Sequence, residues 1–331
     1  MSAKRETGFV IKAKNCAPSA PCGRAARGPS KSVVLFYARA CEVVSDFVSI
    51  AAARSTGGST TTSTTTPNRP RVAASSYLNT APLIWSFQYG TGRGAVELIT
   101  DAAPAYCADL LSRGEVEAAL VPIIEYQRME DGRIFPEVCV GSQRAVRSVV
   151  LVSKHADLKD VHRVALDESS RTSQALVKII FREFLNSEPA WETNAPDIAA
   201  LMAGNDAALV IGDPAMRIGA KEFHVFDLAA LWNKFTNTGF VFAMWMARAT
   251  TAEAVSNVDF AGARDEGLGR IDEIISQYES EVLLPPAEIR EYLTDNITFT
   301  VDENLEQGMR LYFELAHKHG LIDKLKPLEF V

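Results

Sequence analysis

From Arg71 onward, short apolar runs rich in β-branched residues alternate with amphipathic segments and Gly or Pro stops, a pattern that few folds satisfy. "RVAAS", "EAALVPI", "SVVLVSK", "HRVALD", "DAALVIG" and "GFVFAMWMA" read as strands. "PAYCADLLS" before Gly114 reads as a helix. So does "QALVKIIFREFL", which sets Leu176, Ile179, Ile180 and Phe184 on or near one face. The last segment, from about residue 266, looks helical, with a cap at Asp302 and a stop at Gly320. Strands alternating with helices predict an α/β architecture with mostly parallel sheets. At 331 residues the chain is too long for one ordinary core, so two lobes are expected. Polar residues gather where strands end, at Ser76–Asn79, Asp167–Ser173 and Asp213, which is where open α/β sheets bind ligands.

Residues 1–70 differ in kind. They contain "STGGSTTTSTTTPNRPR", a run without apolar periodicity, and the expectation is a disordered N-terminal extension outside the fold. Their most apolar part, "SVVLFYARACEVVSDFVSIAAA", is broken by Arg39, Glu42 and Asp46 and is too interrupted to span a bilayer. A transit-like or secretory segment is the alternative, although a signal peptide would carry its apolar core nearer the start. Residues 1–70 hold ten Lys or Arg against three Asp or Glu, whereas the other 261 hold 24 against 38. An acidic body argues against nucleic acid as a partner. The five cysteines (Cys16, Cys22, Cys41, Cys107 and Cys139) form no C-x-x-C pair, which gives neither a disulfide framework nor a zinc site and suits a reducing compartment.

The glycines of "GTGRG" at 90–94 lack the Lys-Ser/Thr ending of a phosphate loop. His317 and His319 stand two apart and cannot share a helix face, so no metal pair is expected. Neither a G-x-S-x-G elbow nor a paired acidic motif stands out, which leaves acyl transfer and glycoside hydrolysis poorly supported. What remains is a set of hydroxyls and amides, two arginines and a strand-end aspartate. "LDESSRTSQALVKIIF" places Ser169, Ser170, Arg171, Thr172 and Ser173 in succession at a helix start. One or two would be caps; five together look like an anion site, where free N–H groups and the helix dipole already favour negative charge. "SSYLNTAPL" is equally a turn with Asn79 capping the next helix or a ligand set of Ser75, Ser76, Asn79 and Thr80. Arg147 and Ser148 read as strand residues among Val146, Val149 and Val150, and a buried Ser148 needs a partner that a ligand could supply. Asp213 either caps the helix after "IGD" or acts directly.

"SYLNTAPL", "EVEAALVPIIEYQR", "VRSVVLVSK", "VALDESSRTSQALVKII", "AALVIGDPAM" and "YLTDNITFTVDENLEQGMRLYFELAHKHGLI" together resemble the chorismate dehydratases, which serve menaquinone biosynthesis by the futalosine pathway. The resemblance covers about residues 71–331 in order. It departs at "FTNTGFVFAMW", where the family usually has Leu-Pro between Gly and Phe, and at "SQRAVRSV", which lacks a Pro that often precedes the Val.

The resemblance implies a two-lobed fold like that of type II periplasmic binding proteins, with the ligand cleft between the lobes. Lobe one would be 71–150 plus 245–331 and lobe two 151–244, with crossings in "SVVLVSK" and "FVFAMWMA". It implies a lyase that removes water from chorismate to give 3-[(1-carboxyvinyl)oxy]benzoate, with no metal and no cofactor. Asn79 and Ser148 would be catalytic. Ser76, Tyr77, Arg147, Ser169, Ser170, Arg171, Thr172, Ser173 and Asp213 would hold the substrate. The expected location is cytoplasmic, with no membrane partner, and a homodimer is compatible with it. Two rivals share the fold: a solute-binding protein for a small carboxylate, and the sibling enzyme that forms dihydroxynaphthoate. The "SYLN" and "SSRTS" signatures favour the dehydratase over the sibling.

Overall fold

The computed structural model describes residues 69–100, 103–194, 197–219 and 222–331. The extension expected over residues 1–70 therefore lies, apart from Arg69 and Pro70, outside the described residues. Among those, the strands in chain order are β1 (Arg71–Ala73), β2 (Glu97–Ile99), β3 (Ala118–Pro122), β4 (Gly132–Ser142), β5 (Val149–Ser153), β6 (Arg163–Asp167), β7 (Ala190–Asn194), β8 (Ala207–Ile211), β9 (His224–Asp227) and β10 (Phe240–Arg248).

They form two five-stranded sheets of matching order, β2-β1-β3-β10-β4 and β7-β6-β8-β5-β9. In each, four strands run in one direction and the strand in the fourth position, which has just arrived from the other lobe, runs against them. Parallel strands with helices on both faces must be apolar throughout, and β3 (AALVP) and β8 (AALVI) are buried at every position. In β5 the pleat divides the residues: Val149 and Leu151 join the large core, while Val150 and Val152 pack with Ala165, Ala208, Val210 and Leu201 on the opposite face. The fold is a two-lobed α/β architecture of the periplasmic-binding-protein kind.

Both crossings fall a few residues earlier than the sequence suggested. Boundaries at 150/151 and 244/245 would cut β5 and β10, yet ladder hydrogen bonds hold each strand whole in one sheet. The chain changes sheet at 143–148 and 237–239. Arg147 and Ser148 are accordingly not strand residues: Arg147 takes a left-handed φ of 62°, turning the chain between sheets, and its N–H is held by Asp227 Oδ2 at 2.6 Å. The second crossing begins at Asn237 (φ 57°), which ends the helix Leu228–Thr236. It is fixed by Trp232 Nε1 donating to Thr238 Oγ1 at 2.9 Å and by Gly239 N donating to Asn304 Oδ1 at 2.6 Å.

The C-terminal helix Glu303–Lys318 is capped by Asp302, whose carboxylate accepts the Leu305 N–H, and ends before Gly320 at φ 66°. It packs on β10 and on the helix Arg171–Ile179, so it touches both lobes. No helix among the described residues is long and apolar enough to cross a membrane.

Candidate functional site

Between the lobes lies a cavity of about 600 Å³, its open mouth included. Lobe one contributes Ser75, Tyr77, Asn79 and Thr80 from the segment after β1, with Leu120, Pro122, Val140 and Phe242 from the sheet. Lobe two contributes Ser170–Ser173 at the start of a helix, and Ile211 and Gly212 at the end of β8. Polar groups thus face each other across apolar walls, and no carboxylate, histidine or lysine is among the lining residues.

On lobe two the helix Arg171–Ile179 starts without a side-chain cap: Ser170 occupies the N-cap position and makes no capping bond. By position, its first N–H groups have no intrahelical acceptor. Ser169 is turned away, its hydroxyl and N–H both directed at Asp167 Oδ1 (2.6 and 2.9 Å). This buried aspartate shapes the loop, and burial raises its pKa while the two Ser169 bonds oppose that shift. Thr172 Oγ1 accepts the Ile124 N–H of lobe one at 3.3 Å, and its carbonyl accepts Tyr312 Oη at 2.9 Å. The Arg171 guanidinium pairs with Asp109 at 2.7 Å and Glu125 at 3.3 Å, both on lobe one.

On lobe one, Leu78–Thr80 forms a short 3₁₀ turn that runs into the helix Ala81–Tyr89. Asn79 does not cap that helix; the N-cap is Thr80, with no side-chain bond. Instead Asn79 Oδ1 accepts from Thr80 Oγ1 at 3.3 Å, and Thr80 Oγ1 lies 3.0 Å from Ser75 Oγ. Tyr292 Oη donates to Ser148 Oγ at 2.7 Å.

Of the residues singled out from the sequence, Tyr77, Asn79, Ser170, Arg171, Thr172 and Ser173 line the cavity. Ser76 is exposed, Ser148 is fully buried behind the wall, and Arg147 pairs with Glu288 at 2.8 Å. Asp213 opens the helix Asp213–Met216, but its carboxylate accepts the Leu78 N–H of the other lobe at 3.2 and 3.3 Å. Burial raises its pKa to about 6. Sequence reasoning missed Tyr292, Asp109 and Glu125, which carry no local signal. Among the described residues no cluster of His, Cys, Asp and Glu could hold a metal ion.

Residues 70–318 match the family described as "Menaquinone biosynthesis". The chain belongs to that family. A relative within reach of direct comparison, the chorismate dehydratase of Thermus thermophilus, is 30% identical over 257 residues, which is 72% of this chain and 92% of the relative. In structure the chain is similar to a protein of Archaeoglobus fulgidus, with a TM-score of 0.63, 17% identity and coverage of 78% of this chain and all of that one. It is also similar to the periplasmic aliphatic sulphonate binding protein SsuA of Escherichia coli (TM-score 0.54, 19% identity, 80% of this chain and 94% of that one). At these identities the two structures speak for the fold alone.

Proposed function

We propose that the protein is a chorismate dehydratase, a lyase that eliminates water from chorismate to give 3-[(1-carboxyvinyl)oxy]benzoate. The observation that carries this reading is the pair of facing donor sets, Ser75/Asn79/Thr80 and Ser170–Ser173, on either side of an apolar slot. A ring that bears two carboxylates fits such a slot with an anionic group near each set. The helix start of lobe two suits one carboxylate.

The reaction breaks a ring C–H bond and a ring C–O bond. The C–H electron pair becomes a ring double bond, hydroxide leaves, and proton and hydroxide together make water. Aromatisation drives the step, and nothing is oxidised or reduced. The cavity wall offers no carboxylate, histidine or lysine as a base. The proposed acceptor is therefore a carboxylate of the substrate, that of the enolpyruvyl ether being close to the proton that leaves. Asn79 orients the substrate and stabilises developing charge as a preorganised neutral donor, and apolar walls exclude water. Ser148 is proposed as the second catalytic group; it stands behind the wall, where it accepts the Tyr292 hydroxyl. Cys107 and Cys139 are buried as thiols, which supports a cytoplasmic setting. Incubating the protein with chorismate and following the ultraviolet spectrum tests the reading. An aromatic spectrum is expected; chorismate bound and released unchanged would instead favour a solute-binding role.

A further inference from the structure

Arg171 opens the helix Arg171–Ile179, and Gln174, Ala175 and Lys178 follow it at i+3, i+4 and i+7, so the four share one face. With Arg128, which ends the helix Ile124–Arg128 of lobe one, and with Leu321, they line a second cavity of about 270 Å³, its opening included. Three cationic side chains converge there, and no carboxylate is among the lining residues. We propose that this outer cavity binds a phosphate-class anion, either free phosphate or the phosphate group of an ester.

The charges around the cavity do not balance. Arg128 and Arg171 share Glu125, at 2.7 and 3.3 Å, and Arg171 also pairs with Asp109 at 2.7 Å. Lys178 is half-buried and has no ion pair among the described residues. Glu188, the carboxylate whose charge acts on it, is taken by Arg182 at 2.6 Å and by Trp191 Nε1 at 2.8 Å. Burial lowers the pKa of Lys178, and the charges of Arg182 and Arg128 lower it further, as expected of a cation short of a counter-ion.

The donors also indicate which anion. Each guanidinium has more N–H donors than its present partners use, and the Lys178 ammonium makes no hydrogen bond. They come from both lobes and so approach from more than one side. A tetrahedral phosphate presents oxygens in several directions, whereas a planar carboxylate presents two in one plane.

Arg171 lines this cavity and the cleft alike. An anion in the outer cavity draws the guanidinium charge to itself and weakens its hold on an anion in the cleft, and the weakening is reciprocal. Resting on the function just proposed, phosphate raises KM for chorismate without entering the cleft.

Calorimetric titration of the full chain with inorganic phosphate, in a buffer free of other polyvalent anions, tests the site. One phosphate per chain is expected. Lys178→Met keeps the stem and removes the charge. It should weaken binding about tenfold or more, as for one charge-assisted hydrogen bond, and leave turnover without phosphate unchanged. Lys178→Glu sets a carboxylate beside Arg128 and Arg171 and should abolish binding, which keeps the test decisive if the Met variant folds poorly. Ser173→Ala, in the cleft, should leave phosphate affinity as it is. Absence of saturable binding overturns the proposal. So does binding undiminished in the Lys178 variants, or lost in Ser173→Ala, which would put the phosphate at the helix start in the cleft. Glycerol 3-phosphate separates the two sources: tighter binding than inorganic phosphate identifies an ester, and equal or weaker binding identifies free phosphate. In steady-state assays, saturating phosphate should raise KM about fivefold in the parent and not in Lys178→Met. An unchanged KM overturns the link through Arg171. The titrations need no chorismate, so the site stands or falls apart from the proposed function.

Discussion

Asp213, on lobe two, caps a turn on lobe one: its carboxylate accepts the Leu78 N–H at 3.2 and 3.3 Å. The bond ties the two lobes together through a carboxyl that burial holds at about 6, against an ordinary 3.8. A raised folded value means that the folded state binds the proton more tightly. Stability is therefore lost as pH rises from about 4 through 6. Asp213→Asn keeps an acceptor for Leu78 and removes the buried charge. It should raise stability at pH 7 by about 1–2 kcal/mol, discounted for partial exposure, and bring little gain at pH 4. Melting curves of both proteins at the two pH values check this; equal differences at both would show that the charge is irrelevant.

Gly212, the residue before Asp213, has a φ of 70°, and a Cβ there would stand 2.9 Å from the Tyr77 ring. Gly212→Ala combines backbone strain with a clash against a cavity-lining side chain. It should cost roughly 1–3 kcal/mol and displace Tyr77. A thermal melt together with near-ultraviolet circular dichroism reads both effects. An unchanged melt would mean that the lobes part easily at this point.

Arg171 spans the cleft to Asp109 and Glu125. Arg171→Ala removes the cation beside a site proposed for an anion, leaving Asp109 without this partner and Glu125 with Arg128 alone, and should raise KM roughly tenfold, more than it disturbs folding. Arg171→Lys should fall between, since an ammonium lacks the planar fork that reaches two partners. If KM is unmoved in both, the Ser169–Ser173 run serves only to start a helix.

Asn79 lines the cavity, and its amide oxygen is held by the Thr80 hydroxyl at 3.3 Å. Asn79→Ala, or Asn79→Leu to keep the volume, should lower turnover on the order of a hundred- to a thousandfold, as for one preorganised donor. Stability should stay within roughly 1 kcal/mol of the parent. Rates and melts on the same preparations decide it, and near-normal turnover in Asn79→Ala would remove this residue from the mechanism.

The strands were legible because parallel sheets demand apolar, β-branched runs, and "AALVP" and "AALVI" have few other uses. The crossings were not. "VRSVVLVSK" reads as one β-rich strand, yet the strand starts only at Val149, after the positive φ of Arg147, a conformation that no residue type there announces. Ser169 was readable as polar, but its hydroxyl serves Asp167 two residues back, a local pairing that competes with any ligand. Asp213 was readable as a cap, but the turn it caps belongs to the other lobe. Tyr292 meets Ser148 across 144 residues of chain, a contact that no local pattern encodes.

The central claim is loss of water from chorismate, and mass spectrometry on chorismate deuterated at the ether-bearing ring carbon tests it most directly. The full chain should convert it to a product lighter by one water and free of the deuterium, more slowly than unlabelled chorismate. Chorismate recovered intact, with its deuterium in place, would contradict the account.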